Sequence, residues 1–262
     1  MAKIHSTASV HPKAALADDV TVGAYAVIDA EVRIGDGTIV GHHAVITGQT
    51  EIGKNNVIGI GAVIGLEPQD LSYKGAKSYV KIGDHNTLRE YVQVHRGTKE
   101  DSSTVIGDHN FLMGFSHVAH NCQLGNHIIF ANGVLLAGYA QIEDYVFLSG
   151  HCLVHQFCRI GKYSMMRGGA KMSQDLPPYC ISDEMNLMRG LNVVGLQRNG
   201  FSVEQIRGIK NLYQHLFSDF SGVSGAEPLQ EKISKMLTTE TRPEIRYFLE
   251  FILNSKRGIC RP

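Results

Sequence analysis

The chain has 262 residues, and its 25 lysines and arginines balance its 25 aspartates and glutamates. A balanced charge gives no electrostatic case for nucleic acid or an anionic membrane surface. No apolar run reaches membrane-spanning length and the start enters a repeat at once, without an apolar signal core, so a cytoplasmic protein with no membrane span is expected.

From the first residues an apolar side chain falls on every sixth position. The series runs from Ile4, Val10 and Leu16 without a miss to Ile64, returns in phase at Ile82, Leu88 and Val94, and continues from Ile106 to Met172. Six fits neither the period of a helix nor a plain strand alternation, so the unit is a six-residue repeat. The position two before each large residue is mostly small, as at Ala8, Ala26, Ala44, Cys122, Ala140 and Cys152. Residues two apart in a strand share a side, so each unit sends one large and one small side chain inward. Glycines such as Gly23, Gly53 and Gly83 follow the large residue and are expected to carry sharp corners. Three units closing a triangular turn of eighteen residues give a parallel β-helix, and the fold is expected to be mainly β over 1–190.

The period fails over 65–81, where Asp70 and Ala76 replace large residues, and over 95–105, where Glu100 does. Both gaps lie between in-phase coils and read as loops thrown from a rigid wall, where binding groups tend to sit. Asp175-Leu-Pro-Pro-Tyr179 marks the exit from the coils, followed by a linker to about Gly200. Ser202 with Gln205 three residues on then reads as a helix N-terminus, and Ile206, Ile209, Leu212, Tyr213, Leu216 and Phe217 form one stripe. Two more helices are expected near 227–238 and 243–256, making a C-terminal α-helical cap over 191–262. The five cysteines include no CxxC pair, and Cys122, Cys152 and Cys158 fall on the small inward position, which suits reduced thiols in a core.

Chemistry points first to Ser116-His-Val-Ala-His-Asn-Cys122. Val118 faces inward, so His117 projects outward, while His120 sits at a corner. Histidine is the side chain best able to exchange a proton near neutral pH, although a lone corner histidine is more often exposed or structural.

Together with Pro68-Gln-Asp-Leu71, Val94-His-Arg-Gly-Thr98, Leu136-Ala-Gly138, Val154-His-Gln-Phe-Cys158, Gln174-Asp-Leu-Pro-Pro-Tyr179 and Gly195-Leu-Gln-Arg-Asn-Gly-Phe201, this segment resembles the UDP-N-acetylglucosamine O-acyltransferases of lipid A synthesis. They belong to the hexapeptide-repeat acyltransferases, and the resemblance implies coils that wind left-handed, against the usual crossover rule. It further implies transfer of a (R)-3-hydroxyacyl chain from acyl carrier protein to the 3-hydroxyl of UDP-N-acetylglucosamine or another UDP-amino sugar. No cofactor or metal is implied. His120 is then the general base and the Gly138 amide the oxyanion donor. Gln69, Asp70, His117, His155 and Gln156 match substrate-binding residues, Asn192 and Arg198 the nucleotide contacts, and Gly168 the position controlling acyl length. A homotrimer is implied, with Asp70 and His120 of one chain brought toward Gly138 and His155 of a neighbour. Arg198, Arg207, Lys210, Lys232, Lys235 and Arg257 are candidates for meeting acyl carrier protein.

The chain departs from the family pattern at Ser72, where a lysine is usual, at Tyr139 for histidine and at Val194 for glutamate. Asn121, beside the base, stands where members carry aspartate or asparagine. These departures keep two other readings open: a modified UDP-amino sugar as acceptor, and a catalytically weak paralogue that binds nucleotide sugars or acyl carrier protein in a regulatory way. A zinc hydro-lyase of the same coil type, using His95, His117, His120 and His155, is a further alternative.

Overall fold

The structure, a computed structural model, describes residues 1–217 and 228–262. The repeat appears as strands mostly two residues long, such as Thr21–Val22, Ile39–Val40 and Val57–Ile58, each with its outer residue more exposed and its large apolar residue buried. The described strands form three sheets of eleven, nine and eight members that the chain visits in rotation. Apart from the last pair, Cys180–Asp183 against Leu187–Leu191, every pairing between them is parallel. The result is a left-handed parallel β-helix with short C-terminal helices.

The coil length follows from the ladder: the Asn126 N–H donates to Asp144 Oδ1 across 18 residues at 2.8 Å. Apolar columns run up the interior, and on one wall Ile46, Ile64, Val94, Val118, Leu136 and Val154 pair in register and are no more than 2% exposed. Each such burial stabilises by about 1.5–3 kcal/mol, and because a coil touches only its neighbours the core is a chain of similar local interfaces.

The small inward position also holds buried polar residues that form a ladder of their own. Asn86 N–H donates to Asn56 Oδ1, Asn110 N–H to Asn86 Oδ1 and Ile128 N–H to Asn110 Oδ1, each at 2.8 Å. The side-chain amides of Asn56, Asn86 and Asn110 donate to the Gly83, Gly107 and Gly125 carbonyls of the next coil. A buried amide bonded at both ends loses little on leaving water, so these positions tolerate asparagine as well as alanine. The ladder separations are 30 and 24 residues across the two period breaks. Both exceed 18 by whole repeats, which is why the inward phase resumes after each loop.

The corner glycines do a different job from the one expected. Gly53 and Gly83 are not in the left-handed region; a Cβ on either would meet the backbone or aspartate of the next coil at under 3 Å, so they permit close stacking. Left-handed corners are carried by non-glycine residues such as Tyr25, His85, His109, Asn121, His127 and Tyr145. Their rings offset the strain by stacking: His85, His109, His127, Tyr145 and Tyr163 follow one another at 4.7–5.0 Å, the spacing of the strands themselves.

The segment read as a linker is instead ordered. The strands Cys180–Asp183 and Leu187–Leu191 pair antiparallel, then α1 spans Val193–Arg198. No hydrophobic period marks so short a hairpin. The helix α2, Val203–Phe217, starts with the expected reciprocal cap, Ser202 Oγ accepting the Gln205 N–H at 3.1 Å and Gln205 Oε1 accepting the Ser202 N–H at 2.9 Å. Two further helices follow, α3 over Leu229–Leu237 and α4 over Pro243–Leu253. Residue 227, where the third helix was expected to begin, lies outside the described residues. The fourth helix is shorter than expected because Asn254 caps it, and the tail turns back so that the Cys260 N–H donates to the Asp175 carbonyl at 2.9 Å.

Candidate functional site

Both loops converge on one corner of the coil. The strand Val63–Leu66 shifts register against Gln93–His95 between Ile64 and Leu66, and there the chain leaves the wall. Arg96 fastens the first loop, its guanidinium donating to the Gly65 carbonyl at 2.9 Å, to Glu67 Oε1 at 3.1 Å and to the Tyr73 hydroxyl at 3.1 Å. His95 Nδ1 donates to the Glu67 carbonyl at 2.6 Å. So held, the loop presents Asp70, whose Oδ1 accepts the Ser72 N–H at 2.8 Å. Hydrogen bonds from the Ser72 backbone and hydroxyl, with a smaller contribution from nearby His120, keep this carboxyl below the usual aspartate range.

His120 is 5% exposed, so the corner location does not leave it in solvent. Its Nε2 lies 3.7 Å from Asp70 Oδ2 and its Nδ1 is 3.1 Å from Asn121 Oδ1. Tyr139 meets the imidazole edge-on, with ring centroids 5.4 Å apart. Gly138 lies against the same ring: a Cβ built there would fall 2.2 Å from His120 Cε1 and 2.5 Å from Nε2. This corrects the expectation that His120 and Gly138 meet across a subunit boundary, since they already touch within one chain, on corners one coil apart. Among the described residues, the Gly138 N–H has no protein acceptor.

His117 and His155 line one groove of about 430 Å³ whose remaining walls include Leu135, Ala137, Leu153 and Met185. They too belong to a single chain. His117 and His95 pack edge-on at 5.1 Å, and each leaves a buried Nε2 with no hydrogen-bond partner. Burial, reinforced by His95 and His120, pushes His117 down to about 4. A depressed imidazole refuses a proton that the unfolded chain accepts near 6.5, so stability is present above that value and is lost as pH falls toward 4, by roughly 3 kcal/mol. Urea unfolding across this window is expected to show the loss, and to show less of it in His117→Gln. An equal slope in the two proteins would assign the effect to another group.

The other expected site residues are placed as follows. Gln69 and Gln156 are exposed, and His155 is approached by Arg257 at 3.4 Å. Asn192 caps α1, accepting the Gly195 N–H at 3.1 Å and donating one of its two amide hydrogens to the Tyr163 carbonyl at 2.8 Å. Arg198 is exposed on the last turn of α1. Among the described residues neither shares a hydrogen bond or ion pair with His120 or Asp70. Gly168 is exposed and not left-handed, and a Cβ there would meet only the Gly150 carbonyl at 3.6 Å. No corner requirement explains this glycine; the left-handed residue of that corner is Gly169.

All five cysteines are free and buried, and burial pushes the Cys122 thiol up to about 12, so the thiol inside the histidine motif is no nucleophile near neutral pH. Among the described residues no three His, Cys, Asp or Glu side chains are grouped to hold a metal ion, and no helix is long and apolar enough to cross a membrane.

The chain is similar to proteins of one family along its whole length. The family model described as UDP N-acetylglucosamine O-acyltransferase, domain 2, matches residues 175–260, and the bacterial transferase hexapeptide model matches 13–48 and 103–138. A relative from Herminiimonas arsenicoxydans, named as the acyl-carrier-protein-dependent UDP-N-acetylglucosamine O-acyltransferase, is 45% identical over 100% of both chains. The chain belongs to that family. Solved family structures agree in shape: the Francisella novicida UDP-N-acetylglucosamine acyltransferase superposes with a TM-score of 0.91 at 38% identity, covering 99% of this chain and 94% of its own. The Campylobacter jejuni enzyme gives 0.92 at 34% identity, covering 99% and 100%. Family membership sets aside the zinc hydro-lyase alternative. A position that reading of the sequence missed is Arg96, which fastens the loop carrying Asp70; it lies inside Val94-His-Arg-Gly-Thr98 at the second period break, the signal that could have found it.

Proposed function

We propose that this chain moves a (R)-3-hydroxyacyl group from the thioester of acyl carrier protein to the 3-hydroxyl of UDP-N-acetylglucosamine, the first step of lipid A synthesis. The observation carrying this reading is the His120 cluster: an imidazole buried against Gly138, bonded through Nδ1, with Nε2 turned to the Asp70 carboxylate. His120 Nε2 takes the proton of the sugar hydroxyl as that oxygen bonds to the thioester carbonyl carbon. The carbonyl oxygen gains the electron pair and is met by the unpartnered Gly138 N–H. On collapse the carbon–sulfur bond breaks, and the leaving thiolate takes the proton held on His120. Asp70, kept ionised by Ser72, stabilises the imidazolium between these steps.

His117 and His95 stay neutral near pH 7, so the cation formed on His120 faces two uncharged imidazoles. The groove beside His117 and His155 has apolar walls suited to an acyl chain, with exposed Met185 on its lining. Gly168 is the position we assign to acyl length, and Gln69, Gln156, Asn192 and Arg198 to the sugar and nucleotide. A cytoplasmic homotrimer, with basic residues of the helical cap meeting acyl carrier protein, completes the reading.

The test is to incubate the purified protein with 3-hydroxyacyl carrier proteins and a panel of UDP-amino sugars and weigh the products. Acylated UDP-N-acetylglucosamine is expected. Acylation of only a modified amino sugar would replace the acceptor, and no product from any pair would remove the assignment.

A further inference from the structure

Asn121 Oδ1 is the centre of a buried network that the steps above leave unused. The Thr98 N–H donates to it at 3.0 Å, the Thr98 hydroxyl lies 3.0 Å from it, and His120 Nδ1 lies 3.1 Å from it. Thr98 and Asn121 are each 8% exposed, so water does not compete freely for these bonds. A backbone N–H can only donate. The Asn121 atom that faces it is therefore the carbonyl oxygen, and the amide cannot be turned over without setting donor against donor. That oxygen can only accept, so the Thr98 hydroxyl gives it its one hydrogen and the His120 nitrogen facing it carries a hydrogen as well. With that hydrogen committed, Thr98 Oγ1 accepts from the Tyr139 hydroxyl, 2.9 Å away.

The geometry points to Thr98 and Tyr139 as positioning residues that hold His120 in its Nδ1–H tautomer, leaving the Nε2 lone pair on the side of Asp70. The bond made by one ring nitrogen decides which nitrogen is free, and the opposite tautomer offers no lone pair where the proton must be taken. The second loop gains a purpose from this. It brings Thr98 onto one side of Asn121, while Thr104, where the coil resumes, accepts the Asn121 N–H at 2.8 Å on the other. Tyr139 stays in place by stacking on Phe157 at 4.9 Å.

This inference rests on His120 being the base, and its test separates the two. Neutron diffraction from the intact protein reads the tautomer without any turnover; hydrogen on Nδ1 of His120 is expected, and hydrogen on Nε2 alone would overturn the assignment. Thr98→Val keeps shape and backbone N–H but removes the hydroxyl, and is expected to lower kcat about fivefold with KM within about twofold. Thr98→Ser should restore kcat, and Tyr139→Phe should lower it in the same direction by a smaller factor. An unchanged kcat in both Thr98→Val and Tyr139→Phe, or a loss confined to KM, would sink the positioning role. Should Thr98→Val fail to fold, Tyr139→Phe carries the kinetic test. A wild-type chain that acylates nothing would remove the proposed reaction and leave the tautomer result standing.

Discussion

His120→Ala is expected to lower kcat for acyl transfer by about a hundred- to ten-thousandfold, the usual contribution of a positioned general base. The sugar hydroxyl is too weak an acid to ionise unaided, and no other side chain of the cluster can substitute. His117 is held near 4 and is turned to the groove, burial holds His95 below the ordinary imidazole range, and Asp70 is ionised but a far weaker base than imidazole. The fold should survive, because the Asn121 carbonyl keeps both of its Thr98 hydrogen bonds and no buried polar atom is orphaned. Steady-state kinetics beside a melting curve decide the matter. A kcat within tenfold of the parent would mean that another group takes the proton.

Gly138→Ala is the second large effect, and it reaches the same imidazole from outside. The added carbon would stand 2.2 Å from His120 Cε1, closer than real atoms pack, and since Gly138 is not left-handed the penalty is this collision alone. The coils cannot slide apart to relieve it, because the Tyr139 N–H donates to the His120 carbonyl at 3.0 Å. The ring must swing away, lengthening its bond to Asn121 and leaving the line of attack. A displacement of that order is expected to cost about a hundredfold in kcat, and overpacking about 1–3 kcal/mol of stability. Combining it with His120→Ala removes the ring it strikes, so the double variant should melt above Gly138→Ala alone. Equal melting temperatures would show that alanine is accommodated some other way.

The architecture was readable because a solenoid repeats its sequence rule at every turn. One large residue per six sets the coil, and the ladder makes each turn test the same rule again, so Ile46, Ile64 and Val94 fall in register across a loop. Reading failed where a short segment carries no period, as in the hairpin of Cys180–Asp183 and Leu187–Leu191, or where two explanations of one residue coincide. Glycine after each large residue suggested a bent backbone; the backbone is bent elsewhere, at residues such as His85 and Tyr145, and the glycines serve close stacking.

Sequence by itself determined the β-helix, the place of its two loops, the helix start at Ser202 and the histidine motif, because each depends on local spacing or on a resemblance spread along the chain. Tertiary structure alone decided that His120 is buried, that Gly138 of the same chain packs on it, and that Asp70 faces one end of its ring while Thr98 bonds the Asn121 carbonyl at the other. Those contacts join residues that successive coils and two loops bring together, and a one-dimensional period says when a side chain points inward or outward but not what it meets.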